Sequence, residues 1–152
     1  MSDIARPTLS SALSYQNPKA ALEWLEAAFG FEPELVILAP DGSLAHSEMR
    51  FGDGLIMVGS EWNPRVKSPR SVGGMNTQSV HVQLTSDIDG HCERARKAGA
   101  TIAQEPEDQF YGDRTYRCFD PEGHLWTFGQ TVKAMTEEEW TKASGLTVQH
   151  KL

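Results

Sequence analysis

One order of elements, strand, helix and three strands, is written twice in this chain, and that repetition limits its possible folds more than any other feature. From Pro18 to Phe29, Ala21, Leu22, Leu25, Ala28 and Phe29 fall on one helical face with Glu23 and Glu26 opposite. Asn17 is placed to cap this helix, Pro18 suits its first position, and Gly30 ends it. Thr8 to Tyr15 reads as a strand ahead of it. Glu34 to Leu38, Ser43 to Phe51 and Leu55 to Gly59 follow as an antiparallel meander, separated by Asp41-Gly42 and Gly52-Asp53-Gly54 turns.

The same order then returns. Ser79 to Thr85 alternates Val80, Val82 and Leu84 with His81, Gln83 and Thr85. Asp87 to Ala98 is helical, with Ile88, His91, Cys92, Ala95 and Ala98 along one side, and Gly99 closes it. Thr101 to Ala103, Thr115 to Phe119 and Leu125 to Gly129 give three more strands. Gly30 and Gly99 stand 69 positions apart, as do Gly54 and Gly123, while the helix faces overlay best one position further on.

The chain of 152 residues therefore reads as a single α+β domain over residues 1–152. Two βαβββ modules, about 8–60 and about 78–131, form a half-barrel around a concave cavity. Residues from about 61 to 77, with Pro64, Pro69, Gly73 and Gly74, form a linker or a mobile loop. Residues 132–152 form a polar tail in which Thr136-Glu137-Glu138-Glu139-Trp140 opens a short helix, with Trp140 docking on the body or on a partner subunit.

Fourteen Lys and Arg against 21 Asp and Glu give a net charge of −7, and the cations are scattered, so nucleic-acid binding is not expected. No apolar run approaches the length of about 20 residues that crosses a bilayer, and Met1 to Ser10 lacks a secretory layout, which places the protein in the cytoplasm with no membrane partner. Two cysteines, Cys92 and Cys118, form no C-x-x-C and read as buried thiols. Motifs for dinucleotide binding, P-loops, nucleophile elbows and zincin metal sites are absent from the sequence.

Each sheet must give one face to its helix and the other to the space between modules. In Ser79 to Thr85 the apolar set takes the helix side and leaves His81 and Gln83 facing inward. In Ser43 to Phe51, Met49 and Phe51 take the helix side and leave His46, Glu48 and Arg50 on the concave side. A groove carrying His, Glu and Gln among apolar residues suits a small-molecule site. The same residues also fit a solvated sheet face, and His81 fits a satisfied interior histidine. Trp62 is a candidate for the cavity mouth, and Tyr111 and Arg114, in a Tyr-Gly-Asp-Arg turn, for gripping a carboxylate; a salt-bridged turn is the alternative for Arg114. Asp120-Pro121-Glu122-Gly123 has the chemistry of a hairpin turn and reads as structural.

The doubled βαβββ order, the segment Ala20-Ala21-Leu22-Glu23-Trp24-Leu25-Glu26-Ala27-Ala28-Phe29-Gly30-Phe31, and the run from Tyr111-Gly112-Asp113-Arg114 through Asp120-Pro121-Glu122-Gly123-His124-Leu125-Trp126 resemble the vicinal oxygen chelate superfamily, in its glyoxalase/bleomycin-resistance branch. The resemblance spans about residues 8 to 131. It implies a metal site on the first and last strands of each module in the enzymes of the group, at positions that fall here near Ser10, Val58, Ser79 and Thr127. None of the four is a usual ligand, so no metal and no other cofactor is expected. A relocated divalent site would use His46, Glu48 and His81. The resemblance further implies a homodimer. The resulting expectation is a binder or sequestering protein for an organic ligand, without the standard metal site. The alternatives are a divalent-metal lyase or dioxygenase of glyoxalase type with relocated ligands, and an interaction module with no ligand.

Overall fold

The computed structural model describes residues 5–152. The elements are β1 (Ser11–Tyr15), α1 (Pro18–Phe29), β2 (Glu32–Leu38), β3 (Leu44–Phe51) and β4 (Gly54–Ser60), then β5 (Val80–Leu84), α2 (Ile88–Lys97), β6 (Thr101–Asp108), β7 (Asp113–Phe119) and β8 (Leu125–Thr131), with α3 (Glu137–Ser144) in the tail. They form two four-stranded sheets of identical topology, β1-β4-β3-β2 and β5-β8-β7-β6, and no closed barrel. In each, the first strand pairs parallel to the last, as a strand–helix crossover requires, and the remaining pairs are antiparallel.

Local chemistry sets the element ends. The Asn17 side chain accepts from the Ala20 amide, and Gly30 at φ +85° takes the left-handed conformation that ends α1. Asp87 caps α2 by accepting from the Gly90 amide. Strand β6 runs on to Asp108, well past Ala103. Its second half, Gln104-Glu105-Pro106-Glu107-Asp108, has neither apolar alternation nor a complete set of amides, and it holds its place as an irregular edge strand beside β7.

Register assigns the faces. Leu13 pairs with Val58 and Met49 with Ile56, and all four are buried against α1. Val80 pairs with Trp126 and Val82 with Phe128 under α2. The two modules share one core: Phe29 at the end of α1 packs 5.1 Å from Trp126 and 4.7 Å from Phe128 of the second sheet, ring centre to ring centre. Module two also grips α1 at both ends. Glu122 accepts the Gln16 and Asn17 amides at its N-terminal end, at 2.6 and 3.0 Å. At the other end Arg94 donates to the Glu26 and Ala27 carbonyls and His91 Nε2 to that of Phe29. An anion at the positive end of the helix dipole and a cation at the negative end both stabilise it.

The linker is tied down rather than loose. Ser68 Oγ donates to Glu122, Arg70 to the Pro121 carbonyl and Asn76 to the Gly123 carbonyl, so residues 68–76 strap the β7–β8 turn. Burial pushes the Cys92 thiol up to about 11 and that of Cys118 up to about 12, which leaves both unreactive at neutral pH.

Candidate functional site

A cavity of about 690 Å³ opens between the modules. One wall is the start of β1 and the turn into β4, with Ser10, Ala12, Asp53 and Leu55; the other is β5, with Ser79, His81 and Gln83. Phe31 and Phe51 line its apolar part, with ring centres 5.2 Å apart. The volume lies within the range of about 300 to 1,000 Å³ common for small-molecule sites, and polar groups converging on an apolar hollow are their usual chemistry.

The polar side of the cavity is ordered by a chain of hydrogen bonds. His81 Nε2 lies 2.9 Å from Gln83 Oε1, and Gln83 Nε2 donates to Asp113 Oδ2 at 3.0 Å. Thr131 Oγ1 donates to the other oxygen of Asp113 at 2.9 Å. Gly129, opposite Gln83 in the β5–β8 register, leaves space for both side chains: a methyl group there would sit 3.0 Å from Gln83 Oε1 and 3.2 Å from His81 Nε2.

His46 and Glu48 belong to a different group. They share the face of the first sheet turned away from α1, as the Glu48–Met57 pairing requires, but neither lines the cavity. Glu48 is buried and takes two hydrogen bonds from Arg6, at 2.7 and 3.0 Å, and one contact from His46 at 3.0 Å. Those bonds, Arg6 foremost, hold its carboxyl down to about 2. On the same face the Arg50 guanidinium is buried with Nη2 on Glu34 and, among the described residues, no hydrogen-bond partner for Nε or Nη1. Such a group is invisible to hydrophobic patterning, because a buried Arg and a solvated one occupy the same alternating position.

The other candidates stand apart. Trp62 is 74% exposed at the start of the linker and does not line the cavity. Arg114 is held by Asp89 at 2.9 Å and Asp108 at 3.1 Å, a salt-bridged turn. Tyr111 gathers with Phe110 and Trp140 around a separate shallow hollow, where the tail helix meets the β6–β7 turn. Of the seven candidates, the structure brings only His81 and Gln83 together in one cavity, and the sequence reading missed Asp53, Asp113 and Gly129 beside them. The spacing of 69 positions that equates Asp53 with Glu122 was the available signal for Asp53.

The four positions at which the resemblance implies a metal site are also placed. Ser10 and Ser79 line the cavity, and Thr127 pairs with His81. Val58 does not face inward: it pairs with Leu13 in the helix-packed core, and its neighbours Met57 and Gly59 take the other face. The trio His46, Glu48 and His81 is not assembled, since His81 lies on the other sheet. No group of three or more His, Cys, Asp or Glu side chains positioned to hold a metal ion occurs among the described residues. No helix among them is long and apolar enough to cross a membrane.

Two βαβββ modules sharing one core, with a cavity at their seam, define a class of paired-module proteins, and comparison with known sequences identifies the family. Residues 9–128 match the model of the Glyoxalase/Bleomycin resistance protein/Dioxygenase superfamily, and the chain belongs to that superfamily. An uncharacterized protein of Mycobacterium bovis, Mb0911c, is 31% identical over 137 residues, covering 88% of this chain and 89% of its own. The crystal structure of TioX from Micromonospora sp. ML1 is 35% identical, with a TM-score of 0.68, over 83% of this chain and 99% of that one. TnmS3, an antibiotic binding protein from Streptomyces sp. CB03234, shares the fold at 16% identity and a TM-score of 0.63, over 86% of this chain and 99% of that one.

Proposed function

We propose that this protein binds an organic small molecule in the seam cavity and holds it there without a metal ion and without turning it over. The observation that carries the reading is the cavity itself: about 690 Å³, walled by Phe31, Phe51 and Leu55 and furnished with Asp53, His81 and Gln83. The description of TnmS3 as an antibiotic binding protein supports ligand capture as a use of this fold. The donor chemistry supports the absence of a metal. A divalent ion that activates an oxygen substrate needs about three N or O ligands with open positions beside them. Ser10, Ser79 and Thr127 offer only hydroxyls, Val58 is turned into the core, and Glu48 is already engaged by Arg6.

The protein acts as a homodimer in this reading. Leu35, Val36, Ile37 and Leu38 on the outer strand β2 are each between 41% and 53% exposed, an apolar row that a second copy would cover.

Native mass spectrometry on freshly purified protein tests the proposal. The expected result is a dimer mass with no stoichiometric metal and a mass increment for a bound organic molecule, lost when Ala12 at the cavity wall is replaced by Trp. One equivalent of nickel, zinc or iron per chain would overturn the metal-free reading. Ligand retained undiminished by the Ala12→Trp variant would overturn the assignment of the cavity.

A further inference from the structure

Gln83 can be oriented in only one way. A carboxylate only accepts hydrogen bonds, so the side-chain amide must turn its NH₂ toward Asp113, 3.0 Å away, and its carbonyl Oε1 toward His81. An amide oxygen in turn only accepts, so His81 must donate to it from Nε2. Thr131 supports the arrangement from both sides, donating to Asp113 at 2.9 Å and accepting from Gln83 at 3.3 Å. Chemistry thus fixes the imidazole tautomer along a relay that starts at the carboxylate of β7 and ends at the cavity wall.

From this relay, and resting on the cavity reading above, we infer that His81 is held as its Nε2–H tautomer with Nδ1 left as an acceptor, and that the site selects an aromatic ligand bearing a hydroxyl donor. The aromatic preference comes from Phe31 and Phe51 in the wall. Asp53, the carboxylate in the lining, is a second acceptor and reinforces the demand for a donor on the ligand. Gly129 is the positioning residue. Its missing side chain is the space in which His81 and Gln83 lie across the sheet, since a Cβ there would come 3.0 to 3.2 Å from atoms of both.

Two measurements test the inference. Long-range ¹⁵N–¹H correlation spectra of the full chain at neutral pH report the His81 tautomer directly. A single Nε2–H form is expected in the native protein and a mixture in Asp113→Asn, whose amide no longer dictates which end of Gln83 faces the ring. A tautomer mixture in the native protein, or an unchanged single form in Asp113→Asn, overturns the relay. The second measurement titrates 2-naphthol and 2-methoxynaphthalene, of nearly equal shape and differing in the donor, against the native protein and Gly129→Ala. The native protein should prefer 2-naphthol by about five- to tenfold, the worth of one well-formed hydrogen bond. Gly129→Ala should narrow that preference to what Asp53 alone supplies. Equal binding of the two probes by the native protein overturns the inference and leaves the cavity reading standing; failure of both to bind overturns the two together.

Discussion

The turn from β3 to β4 and the turn from β7 to β8 occupy the same place in the two modules, yet one opens onto a cavity and the other closes a seam. Asp53 and Glu122 stand 69 positions apart, the spacing that also relates Gly54 to Gly123. Glu122 is spent on structure, accepting two amides at the start of α1 and the Ser68 hydroxyl. Asp120 beside it is buried and accepts from the Tyr15 hydroxyl, the Trp126 indole and the Glu122 and His124 amides. Phe51 stands where Asp120 does, and with Asp53 it lines the cavity. A duplicated fold thus carries two equivalent seams, and one is filled with fixed hydrogen bonds while the other stays open as a cavity.

The sealed seam should break hardest at Asp120. Asp120→Ala leaves four donors without their acceptor, two of them buried side-chain groups, at about 1 to 3 kcal/mol for each that water does not reach. A loss of about 3 to 5 kcal/mol in unfolding free energy is expected by urea titration. A loss under 1 kcal/mol would mean that the modules are not joined through this turn. Glu122→Ala should cost less, about 2 kcal/mol, because the helix-end amides it serves lie nearer to water and its dipole contribution is up to about 1 kcal/mol. Probe binding in the cavity should not change.

Much of the seam's architecture was legible and its function was not. The helices from Pro18 to Phe29 and from Asp87 to Ala98 follow from apolar periodicity and from Asn17, Asp87, Gly30 and Gly99, all local signals. The hairpin chemistry of Asp120-Pro121-Glu122-Gly123 is equally local, but its partner Tyr15 lies 105 positions away, a distance no spacing rule reads. Alternation placed His81 and Gln83 on the inward face of their strand, since the helix side is filled by Val80, Val82 and Leu84. It placed His46 and Glu48 on the corresponding face too, but could not show that Arg6 crosses to Glu48 and occupies it. Trp62 and Tyr111 illustrate a different failure: aromatic residues in turns look alike whether they meet a ligand, solvent or the tail.

The joint between the helices should be sensitive to pH. His91 donates from Nε2 to the Phe29 carbonyl and accepts from the Tyr116 hydroxyl at Nδ1, so the folded chain needs the neutral ring. Burial holds its imidazole below the ordinary value of 6.5. The unfolded chain therefore binds a proton more readily: the contribution to stability is full above 6.5 and is lost as pH falls from there toward the lowered folded value. For one proton the slope is at most about 1.4 kcal/mol per pH unit. Urea midpoints measured from pH 7.5 down to 5.5 should fall in the native protein and fall less in His91→Gln, whose amide keeps both a donor and an acceptor. Parallel curves for the two proteins would remove His91 from the account.

The smallest stability effect belongs to Asp53, and it bears most directly on the comparison between the two turns. If the open seam is kept for a ligand, the carboxylate there supports nothing in the fold, and Asp53→Ala should change the unfolding free energy by no more than about 0.5 kcal/mol, the usual range for a surface change. The same substitution should weaken 2-naphthol binding while sparing 2-methoxynaphthalene, because it removes an acceptor and little apolar wall. Glu122→Ala predicts the reverse pattern, destabilisation with intact binding. The pair forms a double dissociation between residues at equivalent positions of two copies of one fold. Were Asp53→Ala as destabilising as Glu122→Ala, the two turns would be doing the same job, and the hollow beside Asp53 would be a packing defect of the joint rather than a place kept for a ligand.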